Sequence, residues 1–362
     1  MLDEPRPLQS LTLPALVTAL AVAVLAGFVT FGGLAQTMNL AWGLWTAEGL
    51  VFFGLPFVVV RRAGLLPLRL GGLDAGTPRG LGLGFAFGAI NYFAWAVPLM
   101  ALAQAFFPQR VVELFDSSAI FKHQTPVETV LLAVGVSVAA PLCEEFFFRG
   151  VLQPGLLEKL EPPTAVVVSA FVFAFFHLDP VGFLARFEMG VVFGLLAWRS
   201  GSLWPSIGAH AANNLVSTAL FFAAGGDTEG DLAWWVPSLS FAVGNAGLAL
   251  LVRLSAGKLE SPRPAAIVEA PPPSWGRLVG PWLLGAAVLV GGLLAVDWRG
   301  VQLGFVDALV TLDRDARKDE RLWALRDQAR RGEIPLDEYR AYRTALSKRP
   351  EATPGAPDAG VR

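Results

Sequence analysis

The sequence predicts an all-α, polytopic membrane protein of about eight or nine spans, with a small C-terminal helical hairpin. Three observations support this fold class. The chain is 54% hydrophobic and 16% charged, with a mean hydropathy of +0.53, whereas a soluble domain carries about 25% charged residues. Apolar runs long enough to form membrane helices recur up to residue 296. The C-terminal residues instead place apolar positions at helical spacing between charged ones.

The apolar runs predict the individual spans. The chain opens with an acidic segment and then an apolar run of about 26 residues, so we expect a retained first span rather than a cleaved signal peptide. The fifth and sixth runs are short and are interrupted at His177–Pro180. The predicted spans cover residues 11–36, 41–60, 80–106, 128–148, 164–178, 182–198, 203–223, 233–252 and 278–296.

Composition also predicts how the chain is organised. The stretch SPRPAAIVEAPPPSWG is rich in proline and marks a linker. The predicted segments are N-terminal transmembrane helices (1–127), a transmembrane core (128–253), the Pro-rich linker (254–277), an additional apolar helix (278–296) and the hairpin (316–350).

The positions of the arginine residues predict the orientation in the membrane. The loop of residues 61–79 carries four arginines and a single acid, Asp74, so the positive-inside rule makes it cytoplasmic. The N-terminus is then also cytoplasmic, whereas the side of the C-terminal tail stays open because it depends on whether the ninth run crosses fully. We expect an integral, multi-pass protein of a bacterial inner (plasma) membrane.

Two kinds of site are excluded by residue usage. The single cysteine, Cys143, allows no internal disulfide and no cysteine-rich metal cage. No basic stripe or nucleic-acid motif is present, so we expect no nucleic-acid partner. Membrane lipid is an expected partner.

The end of the predicted fourth span carries Glu144 and Glu145, and Arg149 follows directly after it, in the run PLCEEFFFRGVLQ. A charge at the bilayer centre costs at least about 2.5–3.5 kcal/mol, so such residues are functional by default. Glu145 and Arg149 are four residues apart, on one helical face, with the acid first, which favours an ion pair. Glu144 points elsewhere and is left as a candidate general base. A structural salt bridge in a kinked helix is the alternative.

Further polar groups occur in two later apolar stretches. His177 follows Phe173 by four residues, and His210 and Asn214 are also four apart, so each pair shares a face. Imidazole and carboxamide groups can act as a proton shuttle and as oxyanion donors. Interhelical hydrogen bonds are the structural alternative. Glu48 and Glu188 are additional acids at apparent membrane depth.

The motifs EEFFFRG, FAFFH and HAANN resemble, in order and in every defining position, those of the CAAX protease and bacteriocin-processing family, also called the type II CAAX prenyl endopeptidase family. The resemblance covers about residues 128–220. It implies an intramembrane glutamate-type endopeptidase acting on a membrane-associated peptide or lipidated protein. By position, Glu144 would activate water with His177, Glu145 and Arg149 would support it, and His210 and Asn214 would bind the oxyanion. We expect no cofactor: zinc bound by Glu144, His177 and His210 is considered, but a metal-free mechanism is preferred because no His-Glu-x-x-His helix is present.

The predicted hairpin has apolar residues at helical spacing on both sides of Gly332–Pro335. It resembles the short C-terminal SHOCT-type module. The resemblance implies a protein partner or self-association through this hairpin.

Two other function classes remain open at this stage. One is a non-catalytic membrane scaffold or immunity factor in which the motif residues are structural polar clasps. The other is a transporter whose carboxylates bind a proton or ion, although no inverted repeat or paired broken helices are evident.

Overall fold

The computed structural model describes residues 12–116, 120–122, 124–225, 233, 235–255, 274–310, 312, 316 and 319–348. These residues form helices and no β-strand, which confirms the all-α prediction. The main helices are α1 (Leu13–Met38), α2 (Leu40–Arg62), α3 (Pro78–Phe106), α4 (Pro126–Leu157), α5 (Pro162–Phe176), α6 (Phe183–Ser200), α7 (Trp204–Ala223), α8 (Trp235–Ser255), α9 (Trp275–Val296), α10 (Trp298–Leu309), α11 (Glu320–Arg331) and α12 (Leu336–Ser347).

Five of these helices, α1, α2, α3, α4 and α8, are long and apolar enough to cross a membrane. Shorter apolar helical segments occur at Pro162–Phe176 and Leu283–Gly292. The chain is therefore an integral membrane protein, and the count of eight or nine spans stays a prediction. Most of the predicted linker, residues 256–273, lies outside the described residues.

The long helices contain π-helical turns, and four of these end two residues before a proline. A proline has no N–H to donate, and its ring clashes with the carbonyl four residues earlier. The wider π turn relieves that clash without ending the helix. The four turns and their prolines are Ala47–Gly54 with Pro56, Tyr92–Ala96 with Pro98, Gly135–Ala139 with Pro141, and Phe148–Leu152 with Pro154.

Helices α3 and α7 pack so closely that their backbones touch. An added Cβ atom would lie 1.9 Å from the Pro205 carbonyl oxygen at Gly84 and 2.0 Å from the Ala209 carbonyl oxygen at Gly88. The two glycines are four residues apart, and small residues at this spacing let membrane helices approach. This contact fixes the position of α7 beside Ala209, the residue before His210.

The core of the membrane part is rich in phenylalanine. Phe146, Phe147 and Phe148, which follow the glutamate pair directly, are completely buried. Phe147 and Phe148 contact Phe52 of α2 and Phe176 of α5 at ring-centroid distances of 5.2–6.3 Å. Aromatic pairs in this range add about 0.5–1.5 kcal/mol each beyond their burial. The packing holds α4 between α2 and α5 and orients the charged residues of α4.

Contacts divide the chain into two compact units, and the second comprises Thr37–Asn39 and Gly292–Arg362. Helices α11 and α12 form the predicted hairpin, with Gly332 in the left-handed region (φ 80°) at the turn. The sequence prediction missed a third helix, α10, whose Leu303 is completely buried in the same core. The core of this unit contains Leu303, Leu312, Leu322, Ala329, Tyr339 and Leu346.

Candidate active site

Helix α4 carries a buried ion pair at the position the sequence predicts. Arg149 Nη1 donates to Glu145 Oε1 at 2.9 Å, and both side chains have no exposed surface. Arg149 Nη2 donates to the Gly190 carbonyl oxygen of α6, also at 2.9 Å. The guanidinium thus links α4 to α6 while balancing the charge of one glutamate.

The same carboxylate oxygen also binds a histidine from α7. His210 Nδ1 lies 3.0 Å from Glu145 Oε1, and the histidine side chain is buried. A carboxylate can only accept, so Nδ1 carries the proton and donates. The imidazole is therefore held with Nε2 directed away from Glu145.

Two phenylalanine rings enclose the imidazole and the guanidinium. The His210 ring stacks on Phe193 with centroids 4.9 Å apart and meets the edge of Phe173 at 5.6 Å. Arg149 Cζ lies 4.5 Å from the Phe173 ring centroid, within the range of a cation–π contact. The apolar rings restrict water around the ion pair, and this strengthens its electrostatic interactions.

His177 lies at the C-terminal end of α5 and contacts the same ring. Its imidazole centroid is 5.0 Å from that of Phe173, so His177 and His210 flank one phenylalanine. His177 Nδ1 lies 2.9 Å from the Phe173 carbonyl oxygen. Because a carbonyl only accepts, the proton is on Nδ1, and Nε2 is left with a lone pair.

The turn after His177 is stabilised by an aspartate that the sequence prediction did not single out. Asp179 Oδ1 accepts hydrogen bonds from the backbone N–H groups of Val181 at 2.9 Å and Gly182 at 3.0 Å. Its other carboxylate oxygen is paired with Arg186. The Asp179-Pro180 dipeptide is a sequence signal for such a turn, whereas the pairing with Arg186 depends on the fold.

Glu144 is the neighbouring carboxylate that takes no part in the ion pair. It is 9% exposed, and its Oε2 atom is buried without a hydrogen-bond partner within the described residues. Electrostatically it interacts with His210, Glu145, Arg149 and Arg186. The structure therefore brings Glu144 into the same charged neighbourhood as both histidines, since His177 interacts with Arg186, His210 and Arg149.

Asn214 lies one turn beyond His210 on α7. Its Nδ2 donates to the Val136 carbonyl oxygen at 2.8 Å, at the π turn of α4. One of the two amide hydrogens is therefore used in a helix–helix contact. The neighbouring Asn213 is more deeply buried and its Nδ2 has no partner within the described residues.

Across the described residues, no group of three or more His, Cys, Asp or Glu side chains is placed to hold a metal ion. Glu145, the acid that His210 contacts, is also bound to Arg149 in an ion pair.

Comparison with known proteins supports the family resemblance for this part of the chain. Residues 126–216 match the Rce1-like family of type II CAAX prenyl endopeptidases. This segment contains all six predicted site residues: Glu144, Glu145, Arg149, His177, His210 and Asn214.

One curated relative is the Bacillus subtilis (strain 168) protein named "Putative membrane peptidase YdiL", which is 31% identical over 84 residues. The aligned region covers 23% of this chain and 34% of that protein, so the chain spans about a third of the relative's length. No solved structure matches the chain.

Proposed function

We propose that the chain is an intramembrane endopeptidase that hydrolyses peptide bonds of membrane-associated or lipidated substrates. One observation carries the proposal: within the family-matched segment, Arg149 and His210 are both bound to Glu145, which leaves the carboxylate of Glu144 unpartnered among buried cations and imidazoles. An unpaired buried carboxylate is costly, and a general base needs such a free lone pair.

In the first step, Glu144 accepts a proton from a water molecule while the water oxygen bonds to the scissile carbonyl carbon. His177 orients this water, because its Nδ1 is bound to the Phe173 carbonyl and its Nε2 accepts the second O–H. Positioned bases of this kind contribute about 10²–10⁴-fold to a rate.

The carbonyl oxygen becomes an oxyanion in this step and needs donors. His210 supplies an Nε2–H in its doubly protonated form, while its Nδ1–H keeps the hydrogen bond to Glu145 at 3.0 Å. Asn214 supplies the amide hydrogen that Val136 does not occupy. Removing one oxyanion donor costs about 10²–10³-fold in rate.

The tetrahedral intermediate then collapses. The C–N bond breaks, and the proton held by Glu144 passes to the leaving amine, which restores the carboxylate. Glu145 and Arg149 take no proton in this scheme. Glu145 fixes the orientation of His210, and Arg149 balances the charge of Glu145. The proposed mechanism uses no metal ion, because Glu144 and His177 together activate the water.

The experiment uses the full chain in lipid nanodiscs with two peptides of identical sequence, one carrying a prenylated cysteine and one unlipidated. Mass spectrometry of the products reports cleavage and its position. We expect the lipidated peptide to be cleaved and Glu144→Gln to abolish this. Absence of cleavage of both peptides by the wild-type chain would contradict the proposal.

A non-catalytic scaffold is the second candidate, and a specific set of contacts favours it. Arg149 and Gln153 donate to the carbonyl oxygens of Gly190 and Gly194, one turn apart, and Asn214 donates to Val136. These hydrogen bonds would clasp α4 to α6 and α7 without any chemistry. Under this candidate, Glu144→Gln would change neither stability nor any processing of a membrane substrate.

A further inference from the structure

The turn that follows His177 holds one residue in an unfavourable backbone conformation. Leu178 has a φ of 51°, and no other non-glycine residue in the described part of the chain has a positive φ. At the end of a helix this left-handed conformation is usually adopted by glycine, because the Cβ of any other residue crowds the following carbonyl oxygen. Such strain persists only where the surrounding structure holds it, and it occurs often at functional sites.

Helix α5 holds the start of this turn with only two backbone hydrogen bonds. His177 follows the last residue of the helix, and its N–H donates to the Ala174 carbonyl oxygen at 3.3 Å. The N–H of Leu178 donates to the Phe175 carbonyl oxygen at 3.0 Å. Both hydrogen bonds span three residues instead of four, as in the tightened last turn of many helices. The position of the His177 imidazole therefore depends on the residues that come after it.

Asp179 and Arg186 hold the turn from its other end. One oxygen of the Asp179 carboxylate accepts from the N–H groups of Val181 and Gly182, and the second binds the Arg186 guanidinium on α6. The two charged side chains are only 9% and 19% exposed. Gly182 leaves room for this ion pair, because a Cβ atom there would overlap the guanidinium. The carboxylate thus ties the strained turn to the first turns of α6.

We propose that Asp179 and Arg186 are positioning residues for His177: their ion pair keeps Leu178 in the left-handed conformation, and this fixes the His177 imidazole beside the attacking water. This inference rests on the proposed endopeptidase function. Without the ion pair, Leu178 relaxes to an ordinary conformation and the end of α5 moves with it. A displacement of about 1 Å can lower a rate about 10²-fold. The pair therefore acts on kcat although it contacts no reacting atom.

The first test separates the two charged groups without removing either of them. Gly182 has a right-handed helical backbone (φ -83°) that alanine also adopts, and the atoms nearest to a new Cβ are the ends of the Arg186 and Asp179 side chains. Using the full chain in nanodiscs and the lipidated peptide, we expect Gly182→Ala to lower kcat by about tenfold or more with KM unchanged. The unfolding midpoint should stay close to that of the wild type. The matched control is Gly82→Ala, whose Cβ has no atom within 4 Å and which should keep the wild-type kcat.

The second test removes the strain itself. Asp179→Ala deletes the carboxylate and should lower kcat by about tenfold or more. Glycine adopts the left-handed conformation readily, so adding Leu178→Gly should raise the kcat of Asp179→Ala at least about fivefold. Adding Leu184→Gly instead, at an exposed position within α6, should not raise it. Equal kcat values for the two double variants, or a wild-type kcat in Gly182→Ala, would overturn the inference.

The third test does not depend on activity. The chain has three histidines, so nitrogen NMR of the chain labelled at histidine gives few imidazole signals, and their loss in His177→Gln identifies those of His177. We expect one Nδ1–H tautomer in the wild type, in accord with the contact to the Phe173 carbonyl oxygen, and a mixture of tautomers in Gly182→Ala. Unchanged His177 signals in Gly182→Ala would overturn the inference. Changed signals in a chain that cleaves neither peptide would refute the proposed function and not the positioning of His177, so the two failures are distinguishable.

Discussion

Glu145 and Arg149 can be replaced one at a time, and the burial of the pair predicts how far each replacement lowers the free energy of unfolding. Both side chains have no exposed surface, so breaking the pair leaves an uncompensated charge in the protein interior. Such a loss costs about 3–5 kcal/mol, whereas an exposed pair at the same i,i+4 spacing contributes about 0.3–0.5 kcal/mol. We therefore expect Glu145→Met and Arg149→Met each to destabilise the fold by about 3–5 kcal/mol.

The double variant distinguishes a buried pair from two independent residues. Additive losses would reach roughly 6–10 kcal/mol. With both charges replaced by apolar side chains, the main remaining penalty is the unpaired Nδ1–H of His210, about 1–3 kcal/mol. The expected coupling free energy is thus at least about 3 kcal/mol. Cleavage should be lost in the double variant, because His210 no longer has the carboxylate that orients it.

The assay is equilibrium unfolding in mixed micelles with increasing sodium dodecyl sulfate, followed by circular dichroism. Gln153→Met is the matched control: it removes a neutral hydrogen bond to the Gly194 carbonyl oxygen one turn along the same helix and should cost about 1–2 kcal/mol. Single-variant losses below about 1 kcal/mol, or a double variant equal to the sum of the singles, would refute the reasoning.

Three further predictions concern other parts of the chain. Gly88→Ala should destabilise the fold by about 1–3 kcal/mol or more and lower cleavage, because its Cβ meets α7 backbone at 2.0 Å; Gly82→Ala, with no atom within 4 Å of its Cβ, should do neither in the same unfolding assay. Burial, reinforced by the charge and hydrogen bond of Asp307, raises the pKa of Tyr339, so the unfolded chain ionises first and the second unit should lose stability as the pH rises above about 10. Circular dichroism against pH should show this loss in the wild type and not in Tyr339→Phe. Removing residues 298–362 should lower the number of chains in the detergent-solubilised assembly, measured by sedimentation, and leave cleavage intact. An unchanged number of chains would contradict an oligomer contact in this unit.

Helical spacing predicted those features of the site that lie within one helix. The Glu145–Arg149 contact follows from a separation of four residues and is present at 2.9 Å. The apolar positions of the hairpin, such as Leu322 and Tyr339, are buried as expected. The same helical spacing also predicted that Glu144 lies outside the ion pair. These predictions needed no knowledge of how the helices are arranged.

The contacts between helices could not be predicted in this way. Nothing in the spacing of His210 and Asn214 indicates that the first binds Glu145 and the second binds the Val136 carbonyl, because both partners come from α4. The π turns shift the register of α4, so which of its faces meets α7 depends on packing. The pairing of Arg186 with Asp179 likewise depends on how the chain turns after α5.

The third helix of the C-terminal unit was missed for a different reason. Its residues follow a long apolar run directly, and their own periodicity was obscured by that run. A capping signal was present, since Asp297 accepts a hydrogen bond from the Gly300 N–H and begins α10. Asp, followed by a run of helix-forming residues, is a usual helix start.

The removal of one proton-accepting oxygen at residue 144 tests the central claim most directly. Glu144→Gln keeps the size and the buried position of the side chain but cannot act as a base, so the account predicts cleavage at least 10³-fold below wild type, at the upper end of general-base contributions of about 10²–10⁴-fold, and an unfolding midpoint close to that of wild type. Glu188→Gln, measured in parallel, should cleave normally. A Glu144→Gln variant that processes the lipidated peptide at the wild-type rate would contradict the account.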